Sequence, residues 1–223
     1  MHTARWDSSV ALDGLRVGII GTGSSAIQTV PTIVNQVAHL TLFQRTAQWV
    51  MPQDNPAYSE EERASFRDDP STAAALHDEI SELFANGFSN AVVDADSELL
   101  HKIEETCRLN LEESVTDPVL REQLRPDYRA ACKRLVISPN FYEGIQKTNA
   151  SLVTETITEV EANGVRTADG QYHELDVLIV ATGFQVDRFL RPIDVVNPDG
   201  LHLSEAWAPV SYTHLTLPTT PYV

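Results

Sequence analysis

Residues 16–26 read Arg-Val-Gly-Ile-Ile-Gly-Thr-Gly-Ser-Ser-Ala, an apolar run that breaks into closely spaced glycines and then opens a helical pattern. No other stretch constrains the fold as tightly, because it spells a strand, a phosphate-cradling turn and a helix start in one piece. Gly21 lets the chain turn sharply, Gly23 lets backbone approach a pyrophosphate, and the small Ala26 permits close packing of helix on strand. The free N–H groups and the dipole of the helix N-terminus then face the anion, which makes Gly21, Thr22, Gly23, Ser24, Ser25 and Ala26 the candidate cradle. A second apolar run, Leu40-Thr41-Leu42-Phe43, follows at βαβ spacing. The pattern predicts an α/β chain built on a Rossmann-like dinucleotide-binding sheet.

The residues that end the second strand select the cofactor. An NAD site usually places Asp or Glu there, roughly 20 residues past the glycines, to accept from the ribose 2'-hydroxyl. This chain has Gln44-Arg45-Thr46. A guanidinium fork and a hydroxyl suit a 2'-phosphate, whereas a carboxylate would repel it, so NADP(H) is expected over NAD(H). The bland alternative for Arg45 is a solvated charge at a strand end.

A chain of 223 residues with 42% hydrophobic residues can build a real core. Its net charge of -16 argues against nucleic acid or an anionic membrane as a general partner, so anion binding has to be local. Cys107 and Cys132 form no C-x-x-C pair, which gives a metal knuckle or redox dithiol no support and fits a reducing cytoplasm. No apolar run approaches the roughly 20 residues needed to span a bilayer, and no signal-peptide pattern or internal repeat is present.

Along the chain, residues 25–37 predict a helix with a local irregularity at Pro31. Residues 55–125 are acidic and Ala-rich and predict a helical insertion, with Leu76, Ile80, Leu83, Phe84, Leu99, Leu100 and Ile103 as ordinary core and His77 and His101 as surface or packed histidines. Lys133-Arg134 precedes a short strand at 135–137, and residues 141–146 predict a short helix. Strands are expected at 151–160 and 164–167 around an Asn163-Gly164 turn, then an Asp169-Gly170 turn. Residues 175–180 are the clearest buried strand, ending in Ala181-Thr182-Gly183-Phe184, where open α/β sheets bind ligands.

Five stretches together resemble one family. His2-Thr3-Ala4-Arg5-Trp6-Asp7 resembles the second half of the F-x-G-x-x-x-H-x-x-x-W-(P/D) fingerprint of Baeyer-Villiger monooxygenases, which are class B flavoprotein monooxygenases. The glycine loop, Gln44-Arg45-Thr46, Cys132-Lys133-Arg134-Leu135 and Ala181-Thr182-Gly183-Phe184 follow in the family's order, so the resemblance covers roughly residues 1–209. It implies FAD beside NADP(H), with Arg45, Thr46 and Lys133 at the 2'-phosphate and Arg134 in the active site beside the flavin. It also implies that His2 couples nicotinamide binding to domain movement and that Ala181, Thr182 and Gly183 lie where the NADP and FAD domains meet. In that chemistry a C4a-peroxyflavin attacks a ketone carbonyl, and a permanent cation helps hold the developing negative charge.

The departures set the expected domains. The family's FAD loop and the Phe and Gly of the fingerprint are expected upstream of Met1, so the chain reads as a fragment, itself inactive. Residues 1–54 are the first part of the NADP-binding core, 55–125 the insertion, 126–184 the second part, and 185–209 the start of a return to the FAD domain. Residues 210–223 begin with a stretch that resembles translated transposase-adapter DNA; a natural edge strand is the alternative. The expected function is NADPH- and O2-dependent oxygenation of a small ketone, without nucleic acid or membrane partner. A sulfur- or nitrogen-oxidising relative and a simple NADP-binding module without flavin chemistry stand as alternatives.

Overall fold

The computed structural model describes residues 1–89, 93–94, 96–184 and 193–206. They form two compact units, Met1–Thr182 and a small unit beginning at Gly183. Within the first, β1 (Arg16–Ile20), β2 (His39–Phe43), β5 (Ala150–Val153) and β9 (Val177–Val180) make a four-stranded sheet in the order β5-β2-β1-β9. Every pair in it is parallel, with Val17 opposite both Leu40 and Val177. This is the predicted Rossmann-type arrangement, with β1 central.

The near-continuous apolar runs of these strands are explained by burial on both faces. Side chains alternate across a strand. Val17, Ile19, Leu40, Leu42 and Ile179 face the main core, and α1 (Ser24–Ile33) buries Ile27, Val30 and Ile33 in that core. The intervening Ile20, Phe43 and Leu178 belong to a second cluster with Val165 and Leu175. That second cluster is covered by a three-stranded antiparallel sheet of β6 (Ile157–Glu161), β7 (Gly164–Thr167) and β8 (Tyr172–Glu174). Fully burying one such aliphatic side chain contributes about 1.5–3 kcal/mol, so both layers are needed to hold the sheet.

Between β3 (Val50–Met51) and β4 (Val136–Ile137), which pair in parallel, lies the predicted helical insertion. It comprises α2 (Glu60–Asp68), α3 (Pro70–Glu82) continuing as a π-helical turn over Leu83–Phe88, α4 (Glu98–Ser114) and α5 (Pro118–Gln123). Ser59 and Glu62 form a reciprocal capping box on α2, and Asp69 and Asp117 cap α3 and α5. A short α6 (Phe141–Ile145) then leads into β5.

Several expectations are corrected. Helix α1 runs through Pro31, as expected, but ends at Ile33, short of Val37. The 151–160 strand is two strands, and β8 had no counterpart in the sequence reading. The hairpin between β6 and β7 turns on Ala162-Asn163, since Glu161 pairs directly with Gly164. In the insertion, Leu100 and Ile103 are buried as expected, but Ile80, Leu83 and Phe84 are 45%, 61% and 54% exposed. His77 and His101 are surface histidines beside Asp78 and Glu104. The second unit contains α7 (Leu203–Ala206) and a Val196–His202 bridge. Residues 185–192 and 207–223, which hold part of the expected return segment and the whole adapter-like tail, lie outside the described residues.

Candidate dinucleotide site

The loop after β1 opens at the carboxyl edge of the sheet. Gly21 has a φ of 117°, and its N–H donates to Phe43 O at 3.2 Å. A Cβ at Gly21 would lie 2.5 Å from Ala181 O, so only glycine can turn here against the end of β9. Among the described residues, nothing beyond the adjoining chain comes within 4 Å of where a Cβ at Gly23 would sit, and this residue is the N-cap of α1 without a side-chain cap. The first turn of α1 therefore presents backbone N–H groups to open space, with Ser24 and Ser25 as its first residues and no acidic side chain. Ala26 is fully buried, which is what close helix packing requires.

The residues after β2 are bound to this loop. Thr22 Oγ1 donates to Thr46 O at 2.7 Å, so the glycine loop and the Gln44-Arg45-Thr46 segment move as one piece. Gln44 is buried and its amide donates to Gln123 O at 2.7 Å, while its N–H extends the ladder to Val153 O at 2.8 Å. Its side chain thus anchors the segment to the end of α5. Arg45 is exposed.

Two further elements converge on the same edge. Lys133 Nζ sits 4.2 Å from the ring centroid of Tyr128, whose hydroxyl donates to Gln48 Oε1 at 2.8 Å. The structure thereby brings Lys133 beside the 44–49 segment across more than 80 positions of sequence. Arg134 is exposed, two residues before β4, and Gln28 of α1 donates to Ile137 O, tying β4 to the cradle helix. On the other side, Met1 and His2 act as an outer strand on β9. Val180 N–H donates to Met1 O at 2.8 Å, and His2 pairs in parallel with Val180. His2 Nδ1 accepts from Ala4 N–H, capping the Thr3–Arg5 turn. His2 is therefore fixed next to the strand end that carries Ala181 and Thr182, and Ala181 N–H donates to Ile20 O at 2.9 Å. Gly183, with a φ of 88°, opens the second unit.

Many of the arginines are held by carboxylates. Arg16 is clamped by Asp176 and Glu174, Arg108 by Glu105 and Glu112, and Arg129 by Glu104. Among the described residues, no carboxylate pairs with Arg45, Lys133 or Arg134. Among the same residues, Arg5, Lys102 and Arg121 also lack a carboxylate partner, so it is their position, Arg45 directly after β2 and Lys133 on the Tyr128 ring beside residues 47–48, that suits two of these cations to an anionic ligand in a chain of net charge -16. Sequence reasoning missed Tyr128 and Gln123, which act through tertiary contacts that no local motif signals. Among the described residues, no group of three His, Cys, Asp or Glu could hold a metal, and no helix is long and apolar enough to cross a membrane.

These features define a Rossmann-type fold with a candidate dinucleotide site at the carboxyl edge of its sheet. No family model matches the chain. An uncharacterized monooxygenase of Mycobacterium tuberculosis is 39% identical over 218 residues, covering 97% of this chain and 43% of the relative. A Baeyer-Villiger monooxygenase of Streptomyces coelicolor is 40% identical over 209 residues, covering 92% and 39%. Among solved structures, ε-caprolactone-bound cyclohexanone monooxygenase matches with a TM-score of 0.78 at 30% identity, over 93% of this chain and 48% of that one. The OTEMO complex with FAD and NADP matches with a TM-score of 0.77 at 28% identity, over 93% and 46%. The chain is homologous to the Baeyer-Villiger monooxygenases, as its motifs implied, and spans less than half the length of these relatives.

Proposed function

We propose that this chain carries the NADP(H)-binding domain of an FAD- and NADPH-dependent monooxygenase that inserts one oxygen atom of O2 into a ketone to give an ester or lactone. The observation that carries the reading is the α1 N-terminus without a side-chain cap, meeting open space at Gly23, with the glycine loop bonded through Thr22 to the segment that bears Arg45 and Thr46. Relatives whose names specify Baeyer-Villiger chemistry, and a neighbour holding FAD and NADP, support the same assignment.

Each residue then has a task. Backbone N–H groups of residues 21–26 receive the pyrophosphate, and the open space at Gly23 admits it closely. Arg45, Thr46 and Lys133 grip the 2'-phosphate, with Arg45 offering two parallel donors. Gln44 and Thr22 hold that segment in place. His2 stands at the nicotinamide side, beside Ala181, Thr182 and Gly183 at the junction with the FAD domain. Arg134 stays charged at any working pH and stabilises negative charge developing on the substrate carbonyl oxygen. When bound, FAD supplies the oxidising chemistry with O2.

The test is to express the gene with its flanking coding sequence and incubate the purified protein with NADPH, FAD, O2 and a panel of ketones and thioethers. Lactone or ester formed in proportion to NADPH oxidised is the expected result. Sulfoxide formation without lactone assigns the heteroatom-oxidising alternative, and NADPH binding without any retained flavin reduces the chain to a binding module.

A further inference from the structure

Tyr128 makes three separate contacts around the candidate phosphate site. Its hydroxyl donates to Gln48 Oε1 at 2.8 Å and lies 3.2 Å from Ala47 O. Its carbonyl accepts from Trp49 Nε1 at 2.6 Å. Its ring face carries the Lys133 ammonium at 4.2 Å from the centroid. Residues 47–49 directly follow Arg45 and Thr46, so one side chain fixes the segment bearing two of the candidate phosphate ligands and also orients the third.

The manner of holding Lys133 matters as much as the place. The neighbouring Arg129 is gripped by Glu104 at 2.6 Å, which neutralises it. A ring face attracts an ammonium through its quadrupole and leaves the positive charge undiminished. Lysine loses rotamer entropy when immobilised, so a side chain already seated on a ring binds an anion at less conformational cost. Burial raises the phenol's pKa above its ordinary value, so the hydroxyl remains a donor throughout the neutral range.

We infer that Tyr128 is a positioning residue that sets the preference for a 2'-phosphorylated dinucleotide, by seating Lys133 on its ring while its hydroxyl tethers the segment behind Arg45 and Thr46. This inference rests on the NADP(H) reading above. It predicts a change in cofactor selectivity, which a general loss of stability would not produce.

The experiment titrates the chain and its variants with NADP+ and with NAD+ by calorimetry, with circular dichroism as the check on folding. Wild type is expected to prefer NADP+. Tyr128→Leu, which removes both ring and hydroxyl, is expected to weaken NADP+ by about tenfold and leave NAD+ unchanged; Tyr128→Phe, which keeps the ring, is expected to weaken NADP+ by about threefold. In a Lys133→Ala background, Tyr128→Leu should cost markedly less than it does alone, because part of its effect passes through the missing ammonium. An unchanged NADP+/NAD+ ratio in Tyr128→Leu, or an equal loss for both cofactors, overturns the inference while leaving the NADP(H) reading intact. If Tyr128→Leu does not fold, Tyr128→Phe decides: an unchanged ratio overturns the inference. A wild-type chain that binds both dinucleotides equally overturns the NADP(H) reading, and the role of Tyr128 with it.

Discussion

Replacing Gly21 and Gly23 by alanine, one at a time, separates the two kinds of glycine in the loop. At Gly21 an added Cβ lies 2.5 Å from Ala181 O on a backbone with a φ of 117°. Placing an L-residue in such a conformation costs about 1–2 kcal/mol, and forcing atoms into a filled space typically costs about 1–3 kcal/mol more. The sum, about 2–5 kcal/mol, is a large part of the roughly 5–15 kcal/mol available to a domain, and corresponds to a Tm lower by about 5–20 °C. At Gly23 no protein atom is near, so only local backbone effects act. Alanine is a poorer N-cap than glycine, while it also restricts the unfolded chain; the two effects are each below about 1 kcal/mol or near it and oppose one another. Gly23→Ala should therefore unfold within a few degrees of wild type, yet bind NADP+ at least tenfold more weakly, since the methyl occupies the approach to the pyrophosphate. Differential scanning calorimetry and calorimetric titration read both quantities. A Gly23→Ala variant with wild-type affinity refutes the cradle, and a Gly21→Ala variant with wild-type Tm refutes the packing argument.

Arg45→Ala should weaken NADPH by about ten- to a hundredfold, the value of a charge-assisted contact of about 1.5–3 kcal/mol, with little effect on NADH; equal loss for both would return Arg45 to a solvated charge. In the full-length enzyme, Arg134→Ala should leave NADPH-driven flavin reduction intact and lower ketone oxygenation by about 10²- to 10³-fold, whereas Lys133→Ala should raise KM for NADPH and leave kcat near wild type. Asp176, hydrogen-bonded to Arg16, has its pKa lowered from 3.8 to about 2. Its contribution is complete above the unfolded pKa and is lost as pH falls from about 4 to 2, so the Tm of Asp176→Asn should vary less over that acid range than that of wild type. Burial pushes the Cys107 thiol up to about 12, while Cys132 is exposed. Under native conditions at pH 8, a thiol reagent should modify Cys132 alone, and Cys107 only after denaturation.

The sheet was legible because its strands are buried on both faces, so β1, β2 and β9 read as near-continuous apolar runs, and the glycines between β1 and α1 carry a backbone requirement that composition cannot disguise. Arg45 and Lys133 were legible as chemistry but not as parts of one site, since Lys133 approaches the segment behind Arg45 through Tyr128, whose hydroxyl contacts residues some 80 positions away. Ile80, Leu83 and Phe84 show the opposite failure. Helical spacing marks an apolar stripe, yet it does not say whether anything covers the stripe, and here these side chains stand exposed whereas Leu100 and Ile103 on α4 are buried. β8 escaped notice because Tyr172-His173-Glu174 has no apolar alternation to read. Pro31 is carried inside α1 because it removes one hydrogen bond, and the buried face formed by Ile27, Val30 and Ile33 outweighs that loss.

The outer strand made by Met1 and His2 separates what can change length from what cannot. Strand side chains alternate with a period of two, so inserting or deleting a single residue within Met1-His2 or within 177–181 would turn His2 or its neighbours to the opposite face of the sheet. The segment from Asp7 to β1 is mostly exposed loop, and closing a slightly longer loop costs only tenths of a kcal/mol. Natural or engineered variants can therefore lengthen the connection behind the His/Trp/Asp motif without disturbing the site, while the spacing of the two strand ends across the sheet must be preserved residue for residue.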